Sequence, residues 1–125
     1  MPHALIIDDN LQNVKVLAQL LAKQGVKCTE ILNPTQIVDN PVQDESIDVI
    51  FLDLEMPTID GYQLKEMLRA YLGDVPIIAY TVHVSEMNVV RDMGFDGFLG
   101  KPLDTTKFPN QLARILRGES VWERA

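Results

Sequence analysis

The chain has 125 residues, 46% hydrophobic and 23% charged, with a formal net charge of −7. One domain of this size buries enough surface to need no staple; the lone Cys28 excludes an internal disulfide and a thiolate-only metal site. The negative charge disfavours non-specific binding to nucleic acid or anionic membranes, and the opening MPHALIIDDN has no basic stretch and too short an apolar run for a signal peptide or membrane span, so a cytoplasmic protein is expected.

Strand-like and helix-like patterns alternate from end to end, the signature of strand–helix–strand units around a parallel sheet. His3–Ile7 is the first apolar run and ends at Asp8-Asp9. A helix follows from Asn10 to Gln24, with Leu11, Val14, Leu17, Leu20 and Leu21 at helical spacing and Gly25 as its stop. Val26–Ile31 interleaves Lys27, Thr29 and Glu30 with apolar residues, so it reads as an edge strand carrying a buried Cys28. Asn33-Pro34 opens a second helix with a cap and a first-position proline. Ile47–Leu52 reads as a central strand covered on both faces and ends at Asp53. Asp60 caps a third helix, with Gln63 at capping-box spacing. Val75–Tyr80 is another central strand and ends at Thr81; the fourth helix runs from Val84 to Met93 and stops at Gly94. Phe95–Gly100, interrupted by Asp96 and Gly97, reads as the other edge strand and ends at Lys101-Pro102. The fifth helix shows Phe108, Leu112, Ile115 and Leu116 on one face, and Pro109 in its first turn places its start near Thr105 or Thr106. Residues 1–118 are expected to form the domain; residues 119–125, with Trp122, are a tail that either docks or begins a linker.

In an open parallel sheet the carboxyl ends of the strands line one rim, where ligands bind. Asp8, Asp9, Asp53, Thr81 and Lys101 would converge there. Three carboxylates together repel unless a cation joins them, and oxygen-only donors point to Mg²⁺. Two charges from the metal and one from Lys101 would balance the three acids, leaving a neutral rim able to accept a phosphoryl dianion. Asp53 is the central carboxylate and the best nucleophile for an acyl phosphate. Singly, each residue has a plain structural explanation: Asp8-Asp9 as a helix start, Asp53 as a loop aspartate. The conjunction at successive strand ends is what argues for a site.

The segments IIDDN (Ile6–Asn10), IDVIFLD with LEMPTIDG (Ile47–Gly61), PIIAYT (Pro76–Thr81) and GFLGKP (Gly97–Pro102) together resemble the receiver domain of response regulators in two-component signalling, over essentially the full length. The resemblance implies an α/β, flavodoxin-like doubly wound sheet of five parallel strands in the order 2-1-3-4-5, with five helices; the chemotaxis receivers are a standing example of that order. It implies that Asp53 takes a phosphoryl group from a phosphohistidine. It further implies Mg²⁺ held by the side chains of Asp9 and Asp53 and the Glu55 carbonyl, with Asp8 acting through metal-bound water. Thr81 and Lys101 match the phosphoryl-contacting pair, Phe98 the aromatic that turns inward as the hydroxyl moves, and Lys101-Pro102 a peptide bond that is usually cis.

Val82 stands where such domains have a small residue, so it should narrow access to Asp53. Glu55 and His83 occupy the two variable flanking positions, and His83 reads as either a partner of Glu55 or an ordinary solvent-exposed histidine. The fourth helix carries Val84, Met87, Val89, Val90 and Met93 over more than half its circumference, wider than a core-facing stripe requires. The resemblance makes the face of the fourth helix, last strand and fifth helix a surface for a downstream protein or a homodimer, and the first helix a surface for a histidine kinase or histidine phosphotransfer protein. The expected role is a phosphorelay switch that catalyses its own phosphorylation and dephosphorylation, not a turnover enzyme. An aspartyl-phosphate phosphatase would carry a second aspartate where this chain has Asn10, and a cap insertion the chain has no room for. A flavin site would need a phosphate cradle in place of the acidic first loop, and a protein-binding relative without phosphorylation would be expected to lack one of the five site residues.

Overall fold

The computed structural model describes residues 1–39, 46–57 and 59–123. Its elements are β1 (His3–Ile7), α1 (Leu11–Lys23), β2 (Lys27–Ile31), α2 (Thr35–Asp39), β3 (Val49–Leu52), α3 (Gly61–Leu72), β4 (Ile77–Thr81), α4 (Met87–Asp92), β5 (Gly97–Gly100), α5 (Phe108–Leu116) and β6 (Trp122–Glu123). Every strand pairing is parallel, in the order β2-β1-β3-β4-β5-β6. The expected order 2-1-3-4-5 is present, and a sixth strand of two residues extends it. Among the described residues no helix is long and apolar enough to cross a membrane.

Period-two alternation sends successive strand residues to opposite faces. Ala4, Ile6, Val49, Phe51, Ile78, Tyr80 and Leu99 meet α1 and α5 in one core; Leu5, Ile7, Ile50, Leu52, Ile77, Ala79 and Phe98 meet the remaining helices in the other. Because both faces are covered, β1, β3 and β4 are wholly buried, which is why their sequences are continuous apolar runs. β2 is the exposed border its mixed sequence suggests, and for that reason Cys28 is half-buried, not buried as expected.

Helix ends follow local chemistry. Asn10 Oδ1 accepts the Asn13 amide at 3.1 Å, and α1 stops where Gly25 takes a φ of +75°. Asp60 caps α3 through the Tyr62 amide at 2.9 Å. Three expectations are corrected. The fourth helix is not continuous from Val84: residues Val84–Glu86 form a 3₁₀ turn and α4 begins at Met87, because His83 supplies no capping side-chain bond. The fifth helix begins at Phe108, after a turn in which Asp104 Oδ1 accepts the amides of Thr106 (2.8 Å) and Lys107 (3.1 Å). Finally β5 is not an edge, since β6 covers it and all four of its residues are buried.

Phe51 lies under the rim, with its ring 6.5 Å from Tyr80 in an edge-on contact and 6.4 Å from Phe108. Phe51→Ala should destabilise the fold by about 3–5 kcal/mol, read as a lower urea midpoint, because a fully buried ring leaves a cavity between two aromatics.

Candidate functional site

Parallel register brings the strand ends level. Ile7 pairs with Leu52, Leu52 with Ala79, and Thr81 with Gly100. Backbone bonds continue the ladder into the site: the Asp53 amide donates to Ile7 O at 3.0 Å and the Lys101 amide to Thr81 O at 2.9 Å. Asp8, Asp9 and Asp53 are thereby gathered so that one carboxylate oxygen from each lies within 4.8 Å of the others. Asp9 and Asp53 open onto a cleft of about 350 Å³ whose walls include Asn10, Asn13, Glu55 and Val82, with Asp8 buried behind them.

Lys101 bridges the two buried acids. Its Nζ is 3.1 Å from Asp8 Oδ2 and 3.5 Å from Asp53 Oδ2, and it sits 4.2 Å over the Tyr80 ring. Tyr80 donates its hydroxyl to Asp8 Oδ2 at 2.5 Å, and the Asn10 amide donates to Asp8 Oδ1 at 2.9 Å. Burial by itself pushes the Asp8 carboxyl upward, but the Tyr80 hydroxyl, the Asn10 amide and Lys101 outweigh it and hold that carboxyl below its ordinary value. Asp53 differs. Burial pushes it up to about 6 from an ordinary 3.8, the Asp8 charge adds to this, and the Glu55 amide and Lys101 pull only partly the other way.

A second group of contacts surrounds Thr81. Glu55 Oε1 accepts the Thr81 hydroxyl and, at 3.2 Å, the Val82 amide. Its other oxygen lies 3.4 Å from His83 Nε2, while the His83 amide donates to Thr81 Oγ1 at 3.2 Å. His83 is therefore both solvent-exposed and a partner of Glu55. Val82 is 54% exposed on the cleft wall. The Lys101–Pro102 peptide is cis.

Of the residues picked from the sequence, Asp9, Asp53, Glu55, Val82, Lys101 and Pro102 line the cleft, while Asp8 contacts Lys101, and Thr81 and His83 contact Glu55. Phe98 does not reach the cleft; its ring is fully buried in the core shared with Val90 and Phe95. Sequence reasoning missed Tyr80, which looked like one more apolar strand residue. The available signal was its hydroxyl, since a buried tyrosine needs a polar partner and the rim acids lay nearby.

The family profile described as "Response regulator receiver domain" matches residues 4–113. Stress response regulator protein 1 of Lodderomyces elongisporus is 33% identical over 106 residues, covering 80% of this chain and 29% of its own length. Sensor protein GacS of Pseudomonas syringae pv. syringae is 31% identical over 122 residues, covering 92% of this chain and 13% of its own. The chain thus spans less than a third of either relative. Among solved structures, a two-component response regulator from Clostridium difficile shares the fold with a TM-score of 0.81 at 24% identity, over 94% of this chain and 97% of the other. The receiver domain of a sensor histidine kinase from Pseudomonas aeruginosa, described with a magnesium ion coordinated in the active site cleft, aligns with a TM-score of 0.73 at 27% identity, over 93% and 94% of the two chains.

Because its folded value is raised, Asp53 holds a proton between pH 3.8 and about 6 that the unfolded chain has released. Its contribution to stability therefore falls as pH rises through that window. In chelator, Asp53→Asn should stabilise the protein by about 1–3 kcal/mol at pH 7.5 and by little near pH 4; paired thermal melts at the two pH values check the sign.

Proposed function

Since the chain belongs to the response regulator receiver family, we propose that it is a phosphorelay switch accepting a phosphoryl group on Asp53 from the phosphohistidine of a histidine kinase or phosphotransfer protein. The observation that carries this reading is Lys101 bridging Asp8 and Asp53, two of three clustered carboxylates, with Thr81 at the end of the neighbouring strand.

A hard cation with oxygen donors suits that cluster. Asp9 and Asp53 would hold Mg²⁺ with their side chains and Glu55 with its carbonyl. Asp8 would act through water: both of its oxygens already accept protein donors. Bound there, the cation supplies charge neutralisation and orientation of the phosphoryl oxygens. The protein's own contribution is the nucleophile and its neighbours. A carboxylate oxygen of Asp53 forms the new O–P bond, the P–N bond to the donor imidazole breaks, and the imidazole leaves with the electron pair. Lys101 then meets one phosphoryl oxygen with its ammonium. Thr81 exchanges its bond to Glu55 for another, so activation requires the hydroxyl to change partners. The same site hydrolyses the acyl phosphate when water replaces imidazole, which makes the domain its own slow phosphatase.

The face built from α4, β5 and α5 keeps Val89 and Met93 at 51% and 46% exposed. That supports its use as the downstream surface or a homodimer contact, and the exposed start of α1 supports docking of the donor.

Incubation with acetyl phosphate and Mg²⁺ should add the mass of one phosphoryl group to the intact chain, and Asp53→Asn should abolish the adduct. Labelling of another residue in the wild type would overturn the assignment. Val82→Ala should speed labelling by about two- to tenfold, because it widens the approach to Asp53. A rate unchanged from wild type would remove Val82 from any role in access.

A further inference from the structure

Tyr80 is 2% exposed, and its ring packs in the core that meets α1 and α5. A phenol sunk this deep needs an acceptor for its hydroxyl. A neutral carbonyl would serve, yet Tyr80 donates to a fully buried carboxylate, Asp8 Oδ2, at 2.5 Å. The strands leading to these two residues are not neighbours: β3, which runs into Asp53, stands between β1 and β4. The bond therefore crosses the strand that carries the central acid. Burial first, and then the bond to Asp8, hold the phenol's pKa well above its ordinary value, so its proton stays on the oxygen and points at the rim.

The same side chain meets Lys101 with its face. The ammonium lies 4.2 Å from the centre of the Tyr80 ring, 3.1 Å from Asp8 Oδ2 and 3.5 Å from Asp53 Oδ2. Asp8 Oδ2 thus accepts from two donors at once, the Tyr80 hydroxyl and the Lys101 ammonium. Packing alone does not fix that lysine. It borders the rim cleft on one side and a second cavity of about 140 Å³ on another, where Tyr80, Val16 and Leu103 are also on the walls. An ammonium with space on two sides takes its position from its charge partners.

We infer that Tyr80 is a positioning residue for phosphoryl transfer: its hydroxyl offsets part of the Asp8 charge and its ring supports the ammonium, so that Lys101 stays within reach of a phosphoryl group on Asp53. This rests on Asp53 being the phosphoryl acceptor. The electrostatic sign follows from the bond direction. An O–H dipole aimed into a rim of low dielectric makes the potential there less negative. Its removal strengthens the hold on a cation and weakens the hold on an anion. A residue that only supports the fold would weaken both.

Tyr80→Phe keeps the ring and removes the hydroxyl. Mg²⁺ affinity is measured by isothermal titration calorimetry, and beryllofluoride affinity, as a phosphoryl stand-in, by ¹⁹F NMR at saturating Mg²⁺. The variant should bind Mg²⁺ about two- to fivefold more tightly and beryllofluoride about three- to tenfold more weakly than wild type, within the net effect of one hydrogen bond. Difluorotyrosine placed site-specifically at Tyr80 is a stronger donor of nearly the same shape, and it should shift both affinities the opposite way. That second variant decides the matter if the first does not fold. Unchanged affinities, or a parallel loss of both, overturn the role of Tyr80 and leave the acceptor reading intact. Wild type that binds Mg²⁺ but no beryllofluoride overturns the acceptor reading, and the assignment of Tyr80 to phosphoryl transfer with it.

Discussion

A single ammonium placed between two buried carboxylates is the interaction on which the rest of the rim depends. Lys101 reaches both Asp8 and Asp53 because it directly follows β5, whose backbone is in register with Thr81. Without a cation at that point, two buried acids would sit side by side in a medium of reduced dielectric, and one would stay protonated. The strand order therefore has electrostatic content: it sets which charges meet. Asp8 has additional donors from Tyr80 and Asn10 and stays ionised, while Asp53 has fewer and is raised toward neutrality. Two chemically identical side chains acquire different roles from their hydrogen bonds. The one with fewer donors from the protein is the one left available for the proposed reaction.

The neighbourhood of Thr81 shows the same economy. Glu55 engages the hydroxyl and the next amide with one oxygen and approaches His83 with the other. A residue two positions from Asp53 thus spans the cleft to the end of a different strand, and couples the mouth of the site to the loop that starts the 3₁₀ turn before α4. Any group arriving on Asp53 meets a Thr81 that is already hydrogen-bonded.

The site was more legible in the sequence than its supports. Asp8, Asp9, Asp53, Thr81 and Lys101 each end an apolar run, and parallel sheets put such ends on one rim, so five positions could be gathered from topology alone. Tyr80 was invisible to that logic because alternation assigns it to the core, where its ring does lie; only its hydroxyl belongs to the site. β6 was missed for a different reason. A two-residue strand has no periodicity to read, and Gly97 looked like an interruption of β5 when it is the space that lets Val121 approach. Helix starts failed where capping came from an unexpected residue, as with Asp104, or from none, as at His83. Strand centres and helix faces were clear because burial on two sides leaves little choice of residue type.

The described sheet ends in two borders, β2 and the two-residue β6, and the composition of the longer one, β2, acquires a meaning beyond packing. Lys27, Thr29 and Glu30 are exposed along it. A foreign strand seeking to extend the sheet there would have to strip water from an ammonium and a carboxylate before gaining any backbone bond. Growth of the sheet from the β2 side is thereby opposed by the hydration of its own border residues.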